Sequence, residues 1–308
     1  MSLSILRRSL LALALVAGLA ANAAAQPARL QGFPTADAAA TALTDAIRRD
    51  DDKAVAAMLG AGWRDFVPGS TDDESRLREK YLAAWDANHK VVVADDAKAT
   101  VEVGTTGWTL PVPIIKEGAE WRYDVAAGLK EIQARQIGRN ELSVIQSLLA
   151  IVDAQRDYAA LDPMKIGAPV YARRLLSSPG KKDGLYWEHV AGQPESPLGP
   201  ALALAQARGQ GGTEEGGYYG YHFRLLYAQG PAAPGGAYDY LVNGRMMGGF
   251  AVIAWPVRYD ETGVMTFIVS QSGDVYEQDL GPETAQRAAA IHTFNPDKGW
   301  DKADMTPP

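Results

Sequence analysis

The side chains best able to do chemistry include four histidines: His89, His189, His222 and His292. None stands in a His-Glu-x-x-His pair or at another spacing that would bring two imidazoles to one metal. Glu188 and His189 are adjacent, and adjacent side chains on a helix or strand point apart. His222 falls within an alternating segment, two residues from Arg224 and on the same face. Each histidine therefore reads as structural or solvated. Serine chemistry also lacks a frame: there is no Gly-x-Ser-x-Gly elbow, and no Ser-x-x-Lys at a helix start with its partner motifs. No phosphate loop and no Gly-x-Gly-x-x-Gly turn occurs. The glycines of 209–217 lack the flanking strand and helix of a phosphate cradle and read as a flexible loop.

Carboxylates are the remaining route to catalysis. Asp124, Glu131, Glu188, Asp239 and Asp279 are the acids that a fold could bring together as general acid and base. Asn295-Pro296-Asp297, with Asp301 and Asp304, is rich in oxygen donors, and calcium would sit near Asp297 and Asp301. The run lacks the spacing and closing Glu of a calcium hand, which favours a solvated turn. Aromatic rings are the denser signal, with eleven Tyr and Trp between Tyr186 and Tyr276. Roughly half must pack inward from alternating strands; the others would offer amphipathic faces suited to sugar or peptide. Tyr186, Trp187, Tyr218, Tyr238, Tyr240 and Arg245 form the candidate recognition surface. No catalytic, cofactor-binding or metal-binding set is assigned.

The elements that must carry these residues follow an export signal. Arg7 and Arg8 give a positive start, Ser9 to Ala21 is an apolar run of 13 residues, and Ala23-Ala24-Ala25 offers small residues for cleavage before Gln26. A spanning helix needs roughly 20 apolar residues, so residues 1–25 are expected to be cleaved and the product to keep no membrane anchor. The chain has 308 residues and no cysteine. That removes disulfides, thiol nucleophiles and lipid attachment through a thiol, and leaves stability to the core alone. Loss of Arg7 and Arg8 would move the formal charge from −7 to −9. An acidic protein is a poor partner for nucleic acid or anionic lipid. The basic runs Arg173-Arg174 and Lys181-Lys182 read as solvated surface.

Residues 35–60 show helical spacing in two stretches parted by Asp50-Asp51-Asp52 and stopped at Gly60. A third helix is expected over 73–88, with Leu77, Tyr81, Leu82 and Trp85 on one face. The period then becomes strand-like at 90–94, 99–103, 108–115 and 120–125, with Asp96, Gly104, Gly107 and Gly118 at the turns. Helix resumes at 128–135, is expected to break at Gly138-Arg139-Asn140, and restarts from Asn140 to about Ala160. Leu142, Ile145, Leu149 and Val152 form its apolar stripe. A loop-rich stretch, 177–217, contains a short helix around 198–207. Strands are expected near 219–227, 249–255, 264–270 and 274–278, then a helix of about ten residues from Pro282. The tail from Thr293 reads as irregular.

Three resemblances attach to these residues. The order of helices and strands in 26–130, closing on Glu120-Trp121-Arg122-Tyr123-Asp124, resembles a nuclear-transport-factor-2-like cone. Residues 120–300 resemble an exported Gram-negative family, domain of unknown function 2950. The matching blocks include Ile137-Gly138-Arg139-Asn140-Glu141-Leu142, Asp183-Gly184-Leu185-Tyr186-Trp187 and Asn243-Gly244-Arg245-Met246-Met247-Gly248-Gly249-Phe250. That family brings no catalytic residues. Asn140 to Leu148, Asp153 to Ala159 and Gly263 to Gly273 also resemble the helix and last hairpin of a type IV pilin or pseudopilin. A polar domain precedes the helix here, unlike the apolar helix half of a pilin. The resulting expectation is an α+β protein: a signal peptide over 1–25, a helix-and-sheet domain over 26–130, and a long helix packed on an antiparallel sheet over 131–308. In function it reads as a non-catalytic binding or assembly module of the periplasm, with an envelope protein or glycan as partner. The alternative is an envelope hydrolase using acids in an aromatic-lined cleft.

Overall fold

The computed structural model describes residues 29–67, 71–209 and 217–304. The expected signal peptide, residues 1–25, lies outside the described residues. The fold is α+β, and the chain divides into two compact units, Met1–Val125 and Ala126–Pro308.

The first unit opens with α1 (Ala36–Arg48), α2 (Asp52–Leu59) and α3 (Thr71–Ala87). Thr35 caps α1 by accepting the Ala38 amide, and Asp51 caps α2 by accepting that of Ala54. Four strands follow: β1 (His89–Asp95), β2 (Lys98–Val103), β3 (Ile114–Glu117) and β4 (Glu120–Tyr123). They form an antiparallel meander in chain order. Of the strand expected over 108–115, only Ile114 and Ile115 fall in β3, which runs on to Glu117, with a single bridge, Glu102 to Thr109, upstream. Pro111 and Pro113 carry no amide hydrogen to continue the ladder. Leu43, Met58, Trp85, Val101, Ile114 and Tyr123 belong to this unit's core.

The second unit is built on α4 (Val125–Leu161), one helix of 37 residues. The expected break at Gly138-Arg139-Asn140 does not occur. Glycine inside a helix costs about 1 kcal/mol relative to alanine, and the buried turns that follow outweigh it. Asn140 caps nothing here. Its side chain accepts from Gln136 and donates to the Thr262 carbonyl, both at 2.8 Å. The short helix α5 (Pro200–Gly209) lies in the loop-rich stretch.

The main sheet uses β5 (Tyr221–Leu226), and later β10 (Ala251–Pro256), β11 (Met265–Ser270), β12 (Val275–Asp279) and β13 (Asp301–Lys302). Between β5 and β10 lie four two-residue strands: β6 (Ala228–Gln229), β7 (Tyr238–Asp239), β8 (Leu241–Val242) and β9 (Arg245–Met246). The order in the main sheet is β13-β12-β11-β10-β5, every neighbour antiparallel. The tail expected to be irregular thus supplies an edge strand, and it also buries Phe294.

Register sorts the faces of this sheet. Tyr221, Phe223, Leu225, Val252, Ala254, Phe267, Val269 and Val275 share one face. That face receives α4. The Glu141 carboxylate accepts the amides of Val264 and Met265, each at 2.9 Å, and the hydroxyl of Tyr221 at 3.4 Å. At the other end, Arg156 donates to the Gln271 carbonyl at 3.1 Å. Helix 141–156 spans about 22 Å at 1.5 Å per residue, and strand 264–271 about 23 Å at 3.3 Å per residue. The matched lengths lay α4 along β11. The buried stripe is Val144, Leu148, Ile151, Gln155 and Tyr158, flanked by Ile145 and Val152. Leu142 and Leu149 are only half-buried, so the packed face is rotated from the expected one.

The opposite face carries Arg224, Ile253, Thr266 and Ile268 and is covered by α6 (Thr284–Ala290). Arg224 donates to the carbonyls of Ala288 and Ile291, both at 2.7 Å. A cation there satisfies the last carbonyls of α6.

Candidate functional site

The six residues of the candidate recognition surface fall in three places. Tyr186 and Trp187 lie in the loop after α4, where Leu176 and Tyr186 form a β-bridge. Trp187 is buried, its indole donating to the Pro194 carbonyl at 3.1 Å and its ring edge-on to Tyr158. Tyr158 in turn donates to the Lys182 carbonyl at 2.6 Å, and burial pushes its hydroxyl up to about 12. Tyr218 is half-buried just before β5, its ring 4.4 Å from that of Tyr219. Tyr240 is fully buried and donates to Gln229 Oε1 at 3.0 Å. Trp187 and Tyr240 therefore pack and do not present rings to solvent. Tyr238 and Arg245 are exposed.

Tyr238 and Arg245 belong to a frame at one end of the main sheet. Gln229, buried, donates to the carbonyls of Pro234 and Gly236 at 2.7 Å and so fixes the loop between β6 and β7. The Tyr240 amide donates to the Tyr227 carbonyl at 2.8 Å, and the amides of Met247 and Gly248 to the Tyr240 carbonyl. Asn243 and Gly244, at φ of 50° and 74°, make the two-residue turn joining β8 to β9. Both central residues need the left-handed region in such a hairpin, which is why Asn-Gly serves. Arg173 donates to the Gly244 carbonyl at 3.1 Å and its own carbonyl accepts the Tyr227 hydroxyl at 3.0 Å.

This frame exposes Tyr227, Tyr238, Val242 and Met247, each more than a third accessible, beside Arg173 and Arg245. Tyr227 is among the eleven aromatic residues noted in the sequence but not on the candidate surface, and Val242 and Met247 are not proposed for it. The signal that could have found Val242 and Met247 is Asn243-Gly244, a hairpin turn flanked by Leu241-Val242 and Arg245-Met246-Met247.

The titratable groups are dispersed. His89 stacks on Trp85 at 3.9 Å, and its Nδ1 lies 3.0 Å from that residue's carbonyl. His222 is half-buried against Trp255, and burial lowers its pKa. His292 lies 3.5 Å from Arg224, and His189 is exposed in a loop. Among the acids, Glu131 pairs with Arg135 along α4 at 2.8 Å. Glu188 is exposed in the loop after α4, and Asp239 is exposed on β7. Asp279, at the end of β12, accepts from Tyr259 and from the Gly281 amide. Near the expected calcium position, Asp297 accepts the Gly299 amide at 3.0 Å within its own turn, while Asp301 on the edge strand β13 stands opposite Glu277 of β12. Among the described residues, no group of three or more His, Cys, Asp or Glu side chains could hold a metal ion.

The sequence model of a family described as Protein of unknown function (DUF2950) matches residues 30–303. The chain belongs to this family. The DUF2950 match starts at residue 30, well before the 120–300 stretch that carries the resemblance in the sequence, and therefore takes in residues from both compact units. No curated protein and no solved structure matches the chain. The likenesses to pilins and to the nuclear-transport-factor-2-like cone accordingly gain no support from known structures.

Proposed function

We propose that this DUF2950 protein is exported to the periplasm, where it is a non-catalytic binding or assembly module of the cell envelope. Support for export comes from Arg7-Arg8, the apolar run Ser9 to Ala21 and the small residues Ala23-Ala24-Ala25. No helix among the described residues is long and apolar enough to cross a membrane. The observation that carries the binding reading is the hydrogen-bonded frame exposing Tyr227, Tyr238, Val242 and Met247 beside Arg245. Tyrosine rings held on a rigid frame give large amphipathic contact area at low entropic cost, and Arg adds directional donors. Either a glycan or a protein of the envelope would satisfy such a surface.

The test uses protein recovered from the periplasm. Mass spectrometry should show a mature start at Gln26, and retention of residues 1–25 on a membrane-bound product would overturn export. Binding of the mature protein to separated glycan and protein fractions of the envelope should fall at least about tenfold in the double variant Tyr227→Ala/Tyr238→Ala, as for paired aromatic anchors. Its unfolding temperature should fall by only a few degrees, as for loss of the single Tyr227–Arg173 hydrogen bond. Asp239→Asn and Glu188→Gln should leave binding intact. If either single acid change abolished the cellular phenotype while the tyrosine pair did nothing, a hydrolase would replace this reading.

A further inference from the structure

A second feature of the C-terminal unit lies outside the tyrosine frame. Three turns, at residues 163–165, 180–182 and 192–194, border an open cleft of about 600 Å³. Lys165, Lys181 and Lys182 all line it. Lys181-Lys182 alone is an ordinary surface pair; the fold brings a third lysine to it from a turn 16 residues earlier in the chain.

The acids that neighbour these lysines in sequence, Asp162 and Asp183, keep their charge but form no ion pair with them, each carboxylate being held by other donors. Asp162 spends its carboxylate on the amides of Ile166 and Gly167, at 2.8 and 2.7 Å, and those bonds lower its pKa. Burial alone would raise Asp183, but the Ser178 amide and hydroxyl outweigh it and hold it low. Among the described residues, no carboxylate lies within 4.0 Å of any of the three ammonium groups. Lys182 is steered by the buried Trp187 ring, 5.3 Å from its Nζ.

Lys165 is one of six non-glycine residues at positive φ among the described residues. Its φ is 54°, in the left-handed region that a side chain with a Cβ disfavours and that Gly or Asn would fill at less cost. The Asp162 turn holds a lysine there regardless.

We infer that this cleft binds a phosphate-bearing anion through Lys165, Lys181 and Lys182. Phosphate is favoured over carboxylate because the donors are separate point charges reaching in from two turns. A planar carboxylate is matched better by the guanidinium fork, and no Arg lines the cleft. The formal charge, −7 for the full chain and −9 without Arg7 and Arg8, repels anions at long range. The lysines therefore act within about a Debye length, near 8 Å at physiological salt, which selects compact anions of high charge.

Titration calorimetry of the full mature protein with inorganic pyrophosphate is the direct test, at low and at physiological salt. Saturable binding is expected, weakening as salt rises. The triple variant Lys165→Gln/Lys181→Gln/Lys182→Gln should lose about tenfold or more in affinity, from three partly exposed charges acting together. Lys53→Gln/Lys80→Gln/Lys90→Gln makes the same change in net charge at three exposed lysines elsewhere, and should stay within about twofold of the parent protein. A parallel arm sediments both variants with phosphatidylglycerol vesicles and with phosphatidylcholine vesicles. Vesicle binding that is specific to phosphatidylglycerol and lost only in the cleft variant would support the same chemistry and assign the phosphate to a lipid headgroup. Pyrophosphate binding alone would assign it to a free phosphate compound. Absence of saturable binding in both arms, or equal losses in the two triple variants, would overturn the inference.

Discussion

Glu277 shows how single side chains set the tolerances of this fold. It stands on β12 between Phe267 of β11 and Asp301 of β13. Burial raises its pKa, and the charges of Glu141, Asp301 and Asp304 raise it further. The folded protein thus holds this proton more tightly than the unfolded chain does. The stabilising contribution is complete below the unfolded value, about 4.3, and is lost as pH rises through the folded value. Glu277→Gln removes the charge that is penalised at neutral pH. Thermal melts should show the variant more stable than the parent at pH 7, with the advantage shrinking as pH is lowered toward 4; a variant less stable at pH 7 would contradict this. Nearby, Tyr221 is fully buried and donates to the Met265 carbonyl at 2.9 Å. A Cβ added at Gly263 would run into the Tyr221 ring, so this glycine is there for close approach. No periodicity in the sequence announces such a contact, because it joins residues 42 apart.

At the scale of elements, α4 is the organising piece of the C-terminal unit. Leu148 is fully buried in its stripe, whereas the adjacent Leu149 is half-buried at the edge. Leu148→Ala should cost about 2–5 kcal/mol, as a core cavity does, and Leu149→Ala less than half as much. Denaturant melts of the two variants measure the difference, and equal losses would show that the stripe is misplaced. The apolar periodicity of residues 142–158 marks an amphipathic helix plainly. It leaves a rotation of the packed face by a fraction of a turn undecided, because Ile145 and Val152 fit both stripes. Gly138 misled for a related reason: propensity is a weak local cost, and burial in the turns that follow decides whether the helix continues. The edge strand β13 escaped notice because two residues carry no readable period.

For the molecule as a whole, the two compact units have separate hydrophobic cores, one around Leu43, Met58 and Ile114 and the other around Leu148, Phe223, Val252 and Phe267. No disulfide links them, since the chain has no cysteine. Calorimetry should therefore resolve two unfolding transitions. Leu43→Ala should lower only one of them and Leu148→Ala only the other, each a core truncation of about 2–5 kcal/mol. A single transition shifted as a whole by both variants would show one cooperative unit instead.

By itself the sequence determined the α+β class, membership of the DUF2950 family, the helices of the first unit and four strands of the main sheet. Those features rest on local periodicity, capping side chains and ordered blocks of residues, all readable along the chain. Tertiary structure alone decided which rings are core and which are surface. Tyr240 and Tyr238 are two residues apart on the same short segment, yet one is sealed against Gln229 and the other faces water. It also decided that Lys165 joins Lys181 and Lys182, and that Arg224 caps α6. Burial and convergence depend on which distant backbone arrives overhead, and a pattern read along one chain carries no record of that.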